Sequence, residues 1–144
     1  MKKLFFLVIM LSMAGSYAQD WQPSYTEAIT LAVERERPLI LVFSGSDWCA
    51  PCIKLDKWIW QSDEFRSYAK ENYVLYRADF PRKKDNGLSK ELVAQNRSLA
   101  DRFNPKGYFP LVVLLNGSEE VLGATGFKKV TPSEYITHLN TFIK

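Results

Sequence analysis

The stretch Pro38-Leu39-Ile40-Leu41-Val42-Phe43-Ser44-Gly45-Ser46-Asp47-Trp48-Cys49-Ala50-Pro51-Cys52 decides how the rest of the chain is read. Leu39 to Phe43 is apolar without alternation, the pattern of a central strand covered on both faces. Gly45-Ser46-Asp47 turns the chain, and a helical pattern leaves from Cys49, with Cys52, Leu55 and Ile59 on one stripe. The only 2 cysteines of the sequence therefore stand at a helix start. Unpaired first-turn N–H groups and the positive end of the macrodipole favour a thiolate there. Free cysteine titrates near ~8.5, and Cys-X-X-Cys thiols fall to ~3.5–7.5. Cys49 is expected to be the reactive thiol near solvent, with Cys52 turned inward. Pro51 suits a first turn, where its missing N–H costs nothing.

Other chemistry fits the pair less well. Zinc usually asks for four ligands, and 2 cysteines with a single distant histidine, His138, do not supply them. A purely structural disulfide would close too small a loop to constrain the unfolded chain much.

Ahead of this stretch, Lys2 and Lys3, the apolar run Leu4 to Leu11, and the small-x-small pattern Ser16-Tyr17-Ala18 read as a secretory leader over residues 1–18. The apolar run is too short to span a bilayer. A single domain is expected over residues 19–144, beginning at Gln19. With Lys2 and Lys3 set aside from the 19 Lys+Arg, against 16 Asp+Glu, the balance is about +1. Near-neutrality gives no electrostatic reason to expect nucleic acid or an anionic membrane as partner. A 47% hydrophobic content is enough for one core without covalent staples.

In chain order, Ser24-Tyr25-Thr26-Glu27 has the form of a capping box, followed by an apolar face of Ala28, Ile29, Ala32 and Val33. Beyond the cysteines the helix is expected to break near Gln61 and restart at Ser62, burying Phe65, Tyr68 and Ala69. Trp58 and Trp60 read as packing residues. Tyr73 to Asp79 is a second strand, and Pro81 to Gly87 a charged loop. A long helix follows, with Leu88, Leu92, Leu99 and Phe103 on one stripe, and Asn104-Pro105-Lys106-Gly107 ends it. Leu111 to Leu115 is a third strand, joined through the hairpin signal Asn116-Gly117 to a fourth from Glu119 to Ala124. Thr131-Pro132-Ser133-Glu134 opens the last helix, with Ile136, Leu139 and Ile143 inward and His138 at its boundary. The early crossovers are expected to give parallel strands, and the final hairpin an antiparallel edge. The fold class is α/β: a four-stranded mixed sheet with helices on both faces.

Trp48-Cys49-Ala50-Pro51-Cys52 after a buried strand, Phe109-Pro110 before a hairpin strand, and Gly126 at the hairpin's end resemble the thioredoxin superfamily, in particular secreted bacterial thioredoxin-like oxidoreductases. The resemblance runs from about Leu39 to Phe142. It implies that Cys49 attacks a substrate disulfide and Cys52 resolves the mixed disulfide. It also implies that Trp48, Phe109 and a cis Pro110 meet the substrate. No bound cofactor is implied. The implied partners are protein disulfides or dithiols and a thiol electron donor at the membrane, met by a monomer in the periplasm or outside the cell. Pro51 beside Cys52 and Phe109 before Pro110 look more like reducing members than oxidising ones. A non-catalytic module that docks a partner on the same fold is the alternative. Two departures stand out. The family often has a buried aspartate at the position of Phe43, paired with a lysine that would fall near Leu75, and both are apolar here. The segment from Asp79 to Pro110 is also longer than usual.

Overall fold

The computed structural model describes residues 19–144; the expected leader, residues 1–18, lies outside the described residues. Helix α1 (Tyr25–Arg35) starts at Ser24, whose hydroxyl accepts from the Glu27 N–H, and ends at Glu36 in the left-handed region. Strand β1 (Leu39–Ser44) is buried along its whole length, as its unbroken apolar run requires. Helix α2 (Ala50–Leu55) continues as a π-helical turn over Asp56–Trp60, and the helix ends at Gln61. Helix α3 (Asp63–Asn72), capped by Ser62, leads into strand β2 (Val74–Asp79). A 3-10 turn at Lys84–Asn86 precedes helix α4 (Lys90–Phe103). Strands β3 (Leu111–Leu115) and β4 (Val121–Thr125) then form a hairpin, and helix α5 (Pro132–Asn140) closes the fold from the full capping box of Thr131 and Glu134.

The sheet runs β2-β1-β3-β4. Side chains alternate across β1, and two cores result. Ile40 and Val42 meet Leu55, Ile59, Phe65, Ala69, Tyr135 and Leu139 from α2, α3 and α5. Leu39, Leu41 and Phe43 meet Tyr25, Ala28, Ala32 and Leu99 from α1 and α4. Burial of this apolar surface, at about 25 cal/mol per Å², is the main force holding the layers together.

Several sequence expectations change. β1 and β2 are parallel, but β3 is antiparallel to β1. β2 ends at Asp79 level with Ser44, and β3 begins at Leu111 level with Phe43, so the connection through α4 crosses β1 and returns to the end of the sheet it left. Asn116-Gly117 is not a two-residue turn. The Asn116 side chain accepts from the N–H groups of Ser118 and Glu120, and Glu119, not the glycine, takes the left-handed conformation (φ 60°). β4 accordingly starts at Val121, two residues later than the apolar pattern suggests. Val33 lies on the exposed side of α1, where Tyr25 takes the buried place. Trp60 is buried as expected, whereas Trp58 is 40% exposed. Finally, Trp21 forms a parallel bridge to Leu75, and the Gln22 N–H donates to the Leu75 carbonyl at 2.9 Å, covering part of the free edge of β2.

Candidate active site

Both cysteines sit at the carboxyl end of β1, where open α/β sheets place their sites. Cys49 is the N-cap of α2 with extended backbone (φ −92°, ψ 103°), and its N–H donates to the Gly45 carbonyl at 2.9 Å. Ala50 and Pro51 form the first turn, and Cys52 stands one turn on with its Cα 5.2 Å from that of Cys49. The two sulfurs form a disulfide. Cys49 Sγ also accepts from the Cys52 N–H at 3.3 Å, the contact by which a first-turn donor would stabilise a thiolate at that atom. The expected contrast in exposure is absent in this disulfide form. Cys49 is 5% exposed and Cys52 3%, with Cys49 Sγ bonded to Cys52 and accepting from its N–H.

The Phe109-Pro110 peptide is cis. Trp48 and Phe109 meet edge to face at 5.4 Å between centroids, so the two residues that flank the redox pair and the cis proline touch one another. Phe80 and Arg82 join them, two residues the sequence did not single out. The Trp48 indole N–H donates to the Phe80 carbonyl at 2.7 Å, and the Phe80 ring packs on Phe109 at 5.5 Å. The Arg82 guanidinium lies 3.8 Å from the Trp48 ring centre, a cation–π stack. Gly45 is the available sequence signal for this cluster: a side-chain Cβ there would overlap the Trp48 indole, so glycine is what lets the ring lie down against the loop.

Two carboxylates fix the loop in front of Cys49 to the segment after β2. Asp79 accepts from the Ser46 N–H at 2.9 Å and from its hydroxyl at 2.5 Å. Asp47 accepts from the N–H groups of Arg82 and Lys83, both at 2.9 Å, and from the Asn86 amide at 3.0 Å. These hydrogen bonds, led by that from Arg82, depress the Asp47 pKa to about 2. Its carboxylate is thus turned to the Arg82–Asn86 segment. Asn96 completes the connection by donating to the Asp79 carbonyl at 3.1 Å from α4.

Phe43 belongs to the core against α1 and α4, whereas Leu75 belongs to the core on the α2 side. The two positions are separated by the sheet, so an aspartate at one and a lysine at the other would not pair here, contrary to the sequence expectation. His138 is a boundary residue, with Nε2 2.9 Å from Thr125 Oγ1. Burial, and then the charge of Lys128, hold its pKa below the ordinary value. Among the described residues no group of three or more His, Cys, Asp or Glu side chains could hold a metal ion.

Comparison with known proteins agrees with this geometry. A family model described as thioredoxin-like matches residues 20–117. A protein of Chlamydia pneumoniae named disulfide bond reductase DsbH is 32% identical over 125 residues, spanning 87% of this chain and 73% of the relative. A second protein of that organism, thioredoxin-related protein DsbJ, is 30% identical over 106 residues, spanning 74% of this chain but only 30% of the relative. Among solved structures, a DsbH oxidoreductase superposes with a TM-score of 0.80 at 30% identity, covering 87% of this chain and 84% of that one. A thioredoxin from Thermus thermophilus shares the fold at a TM-score of 0.63 and 18% identity. With a redox-type Cys-X-X-Cys pair at the helix start of this fold, the chain belongs to the thioredoxin-like family and is a thiol–disulfide oxidoreductase.

Proposed function

We propose that the chain reduces protein disulfides outside the cytoplasm, with Cys49 as nucleophile and Cys52 as resolving thiol. The observation that carries this reading is the position of Cys49 Sγ: it accepts a first-turn N–H, and Trp48, next to it in the chain, contacts Phe109. In the reduced protein the Cys49 thiolate attacks one sulfur of a substrate disulfide, forming a mixed disulfide and expelling the other sulfur as a thiolate that takes up a proton. Cys52 then loses its proton and attacks Cys49 Sγ. The substrate's second sulfur leaves as a thiol, and the protein is left with its own disulfide, two electrons having passed to the substrate. An external dithiol must restore the reduced pair, and a thiol donor at the membrane is the partner class that could do so from the cytoplasm. Trp48, Phe109 and Pro110 offer the surface on which the substrate backbone would lie as an added strand.

The reducing direction is supported by Pro51 beside Cys52, by Phe109 before Pro110, and by the reductase name of the Chlamydia relative. Export is supported by the leader pattern in residues 1–18, and among the described residues no helix is long and apolar enough to cross a membrane. We expect the mature form to start at Gln19 and to act as a monomer. Asp47 is committed to the Arg82–Asn86 segment, and Asp56, one turn after Cys52, is committed to Arg77, so the second step should quicken as pH rises through thiol ionisation.

The test is capture of mixed disulfides with Cys52→Ser in cells, together with redox equilibration of the wild type against glutathione. Discrete adducts through Cys49 and a couple nearer ~−270 mV than ~−120 mV are the expected results. No adducts in Cys52→Ser, or discrete adducts formed through Cys52 in a Cys49→Ser protein, would refute the assignment, and a couple at the oxidising end would reverse the direction.

A further inference from the structure

The surface beside the redox pair continues into an aromatic and basic patch that the proposed chemistry does not use. Ile53, directly after Cys52, is 47% exposed, and Trp58 is 40% exposed. Trp58 is covered only in part by Phe127, at 5.8 Å between ring centroids, and Lys54 Nζ lies 6.0 Å from its ring centre. Phe127 follows Gly126, where an added Cβ would lie 3.4 Å from the Pro110 carbonyl oxygen, so the patch adjoins the cis proline. Lys128, Lys129 and Val130 extend it, all exposed, and Lys57 lies one turn along from Lys54.

The charge on this face is unbalanced. Lys54, Lys57, Lys128 and Lys129 form no ion pair among the described residues. The acids on the same elements are already engaged: Asp56 pairs with Arg77 at 2.5 Å and takes the Gln61 amide, and Glu134 accepts from the N–H and hydroxyl of Thr131. An exposed tryptophan is an unusual residue to leave in water, and aromatic anchors ringed by cations are the pattern of a recognition surface.

We propose that Trp58, Phe127 and the lysines around them form a docking surface for an acidic, apolar segment of the partner protein whose cysteines exchange with Cys49. This deepens the proposed function and rests on it for the identity of the partner, though the docking itself needs no sulfur chemistry. Complementary charge would steer the encounter, and the Trp58–Phe127 ridge would seat an apolar side chain. Because the patch adjoins Pro110 and Ile53, a partner held on it places its own cysteine close to the redox pair.

The test uses the oxidised protein with a synthetic cysteine-free peptide alternating glutamate and leucine, its lysine–leucine twin, and vesicles of phosphatidylglycerol and phosphatidylcholine. Lys54→Glu combined with Lys128→Glu, and separately Trp58→Ser, change exposed side chains and should leave the fold intact. Each variant should weaken binding of the acidic peptide by about tenfold, and the lysine twin should not bind the wild type. A disulfide-linked form of the acidic peptide should lose about tenfold in kcat/KM with either variant, while hydroxyethyl disulfide, too small to reach the patch, should react unchanged. A wild type that binds the cysteine-free peptide yet reduces no disulfide would uphold the docking surface and remove the redox reading. Equal affinity of wild type and variants for the acidic peptide, no binding to either peptide, or loss of vesicle binding with peptide binding unchanged would each overturn the proposal.

Discussion

Replacing Gly45 by alanine should cost far more than a single methyl group suggests, because the new Cβ would overlap three atoms of the Trp48 indole. Two responses are open to the protein. If Trp48 is expelled, it loses its hydrogen bond to the Phe80 carbonyl, worth about 1 kcal/mol. It also loses the edge-to-face contact with Phe109, about 0.5–1.5 kcal/mol, and the stack with Arg82, about 0.5–1 kcal/mol. If the ring stays, the loop must shift, and overpacking of that kind costs about 1–3 kcal/mol. The cheaper route sets the outcome, so Gly45→Ala should destabilise the oxidised protein by about 2 kcal/mol. The assay is a four-corner cycle of urea unfolding for wild type, Gly45→Ala, Trp48→Ala and the double variant. With the indole gone the added methyl has room, so Gly45→Ala should cost under about 0.5 kcal/mol in the Trp48→Ala background, leaving a coupling of about 1.5 kcal/mol. A penalty equal in both backgrounds, or one below about 0.5 kcal/mol in the wild type, would refute the steric argument.

The Asp47 carboxylate has its pKa depressed to about 2 by the Arg82 and Lys83 N–H groups and Asn86, below the ~3.9 of an unfolded chain. Its contribution is therefore complete above about pH 4 and is lost as pH falls toward 2, so Asp47→Asn should flatten the acid limb of a stability–pH profile measured by thermal unfolding. Tyr135 is fully buried and its hydroxyl donates to the Gly126 carbonyl at 2.8 Å, so Tyr135→Phe should cost about 1 kcal/mol in urea unfolding. At Gly123 an added Cβ would overlap the Phe142 ring, and Gly123→Ala should cost about 1–3 kcal/mol and shift the Phe142 ring resonances in an NMR spectrum.

The parts of the fold that were legible are those coded by neighbours in sequence. Leu111 to Leu115 reads as an apolar run and forms a strand with those limits, and the caps at Ser24, Ser62 and Thr131 announce three helices through side chains that bond three residues ahead. The cysteines and the Phe109-Pro110 pair were legible as a motif. What failed was coded at long range. Phe80 and Arg82 join the site only because β2 ends beside the loop that carries Trp48. The π turn at Asp56–Trp60 has no residue signature of its own, and it sits where Asp56 reaches Arg77 across to β2. Trp58 reads as a packing residue, yet it is 40% exposed and meets Phe127 outside the two cores. Cys49 was expected near solvent, yet it is 5% exposed in the disulfide form.

The loop in front of Cys49 is tied to the segment after β2 by Asp79 through Ser46 and by Asp47 through Arg82, Lys83 and Asn86. None of these ties involves sulfur. Opening the disulfide therefore breaks none of them, and the loop would keep this anchorage with both thiols free. A protein that alternates between two covalent states on such a frame would spend little of each cycle re-ordering itself. Its turnover would be set by the sulfur chemistry and by partner arrival, with the scaffold a constant through both halves of the cycle.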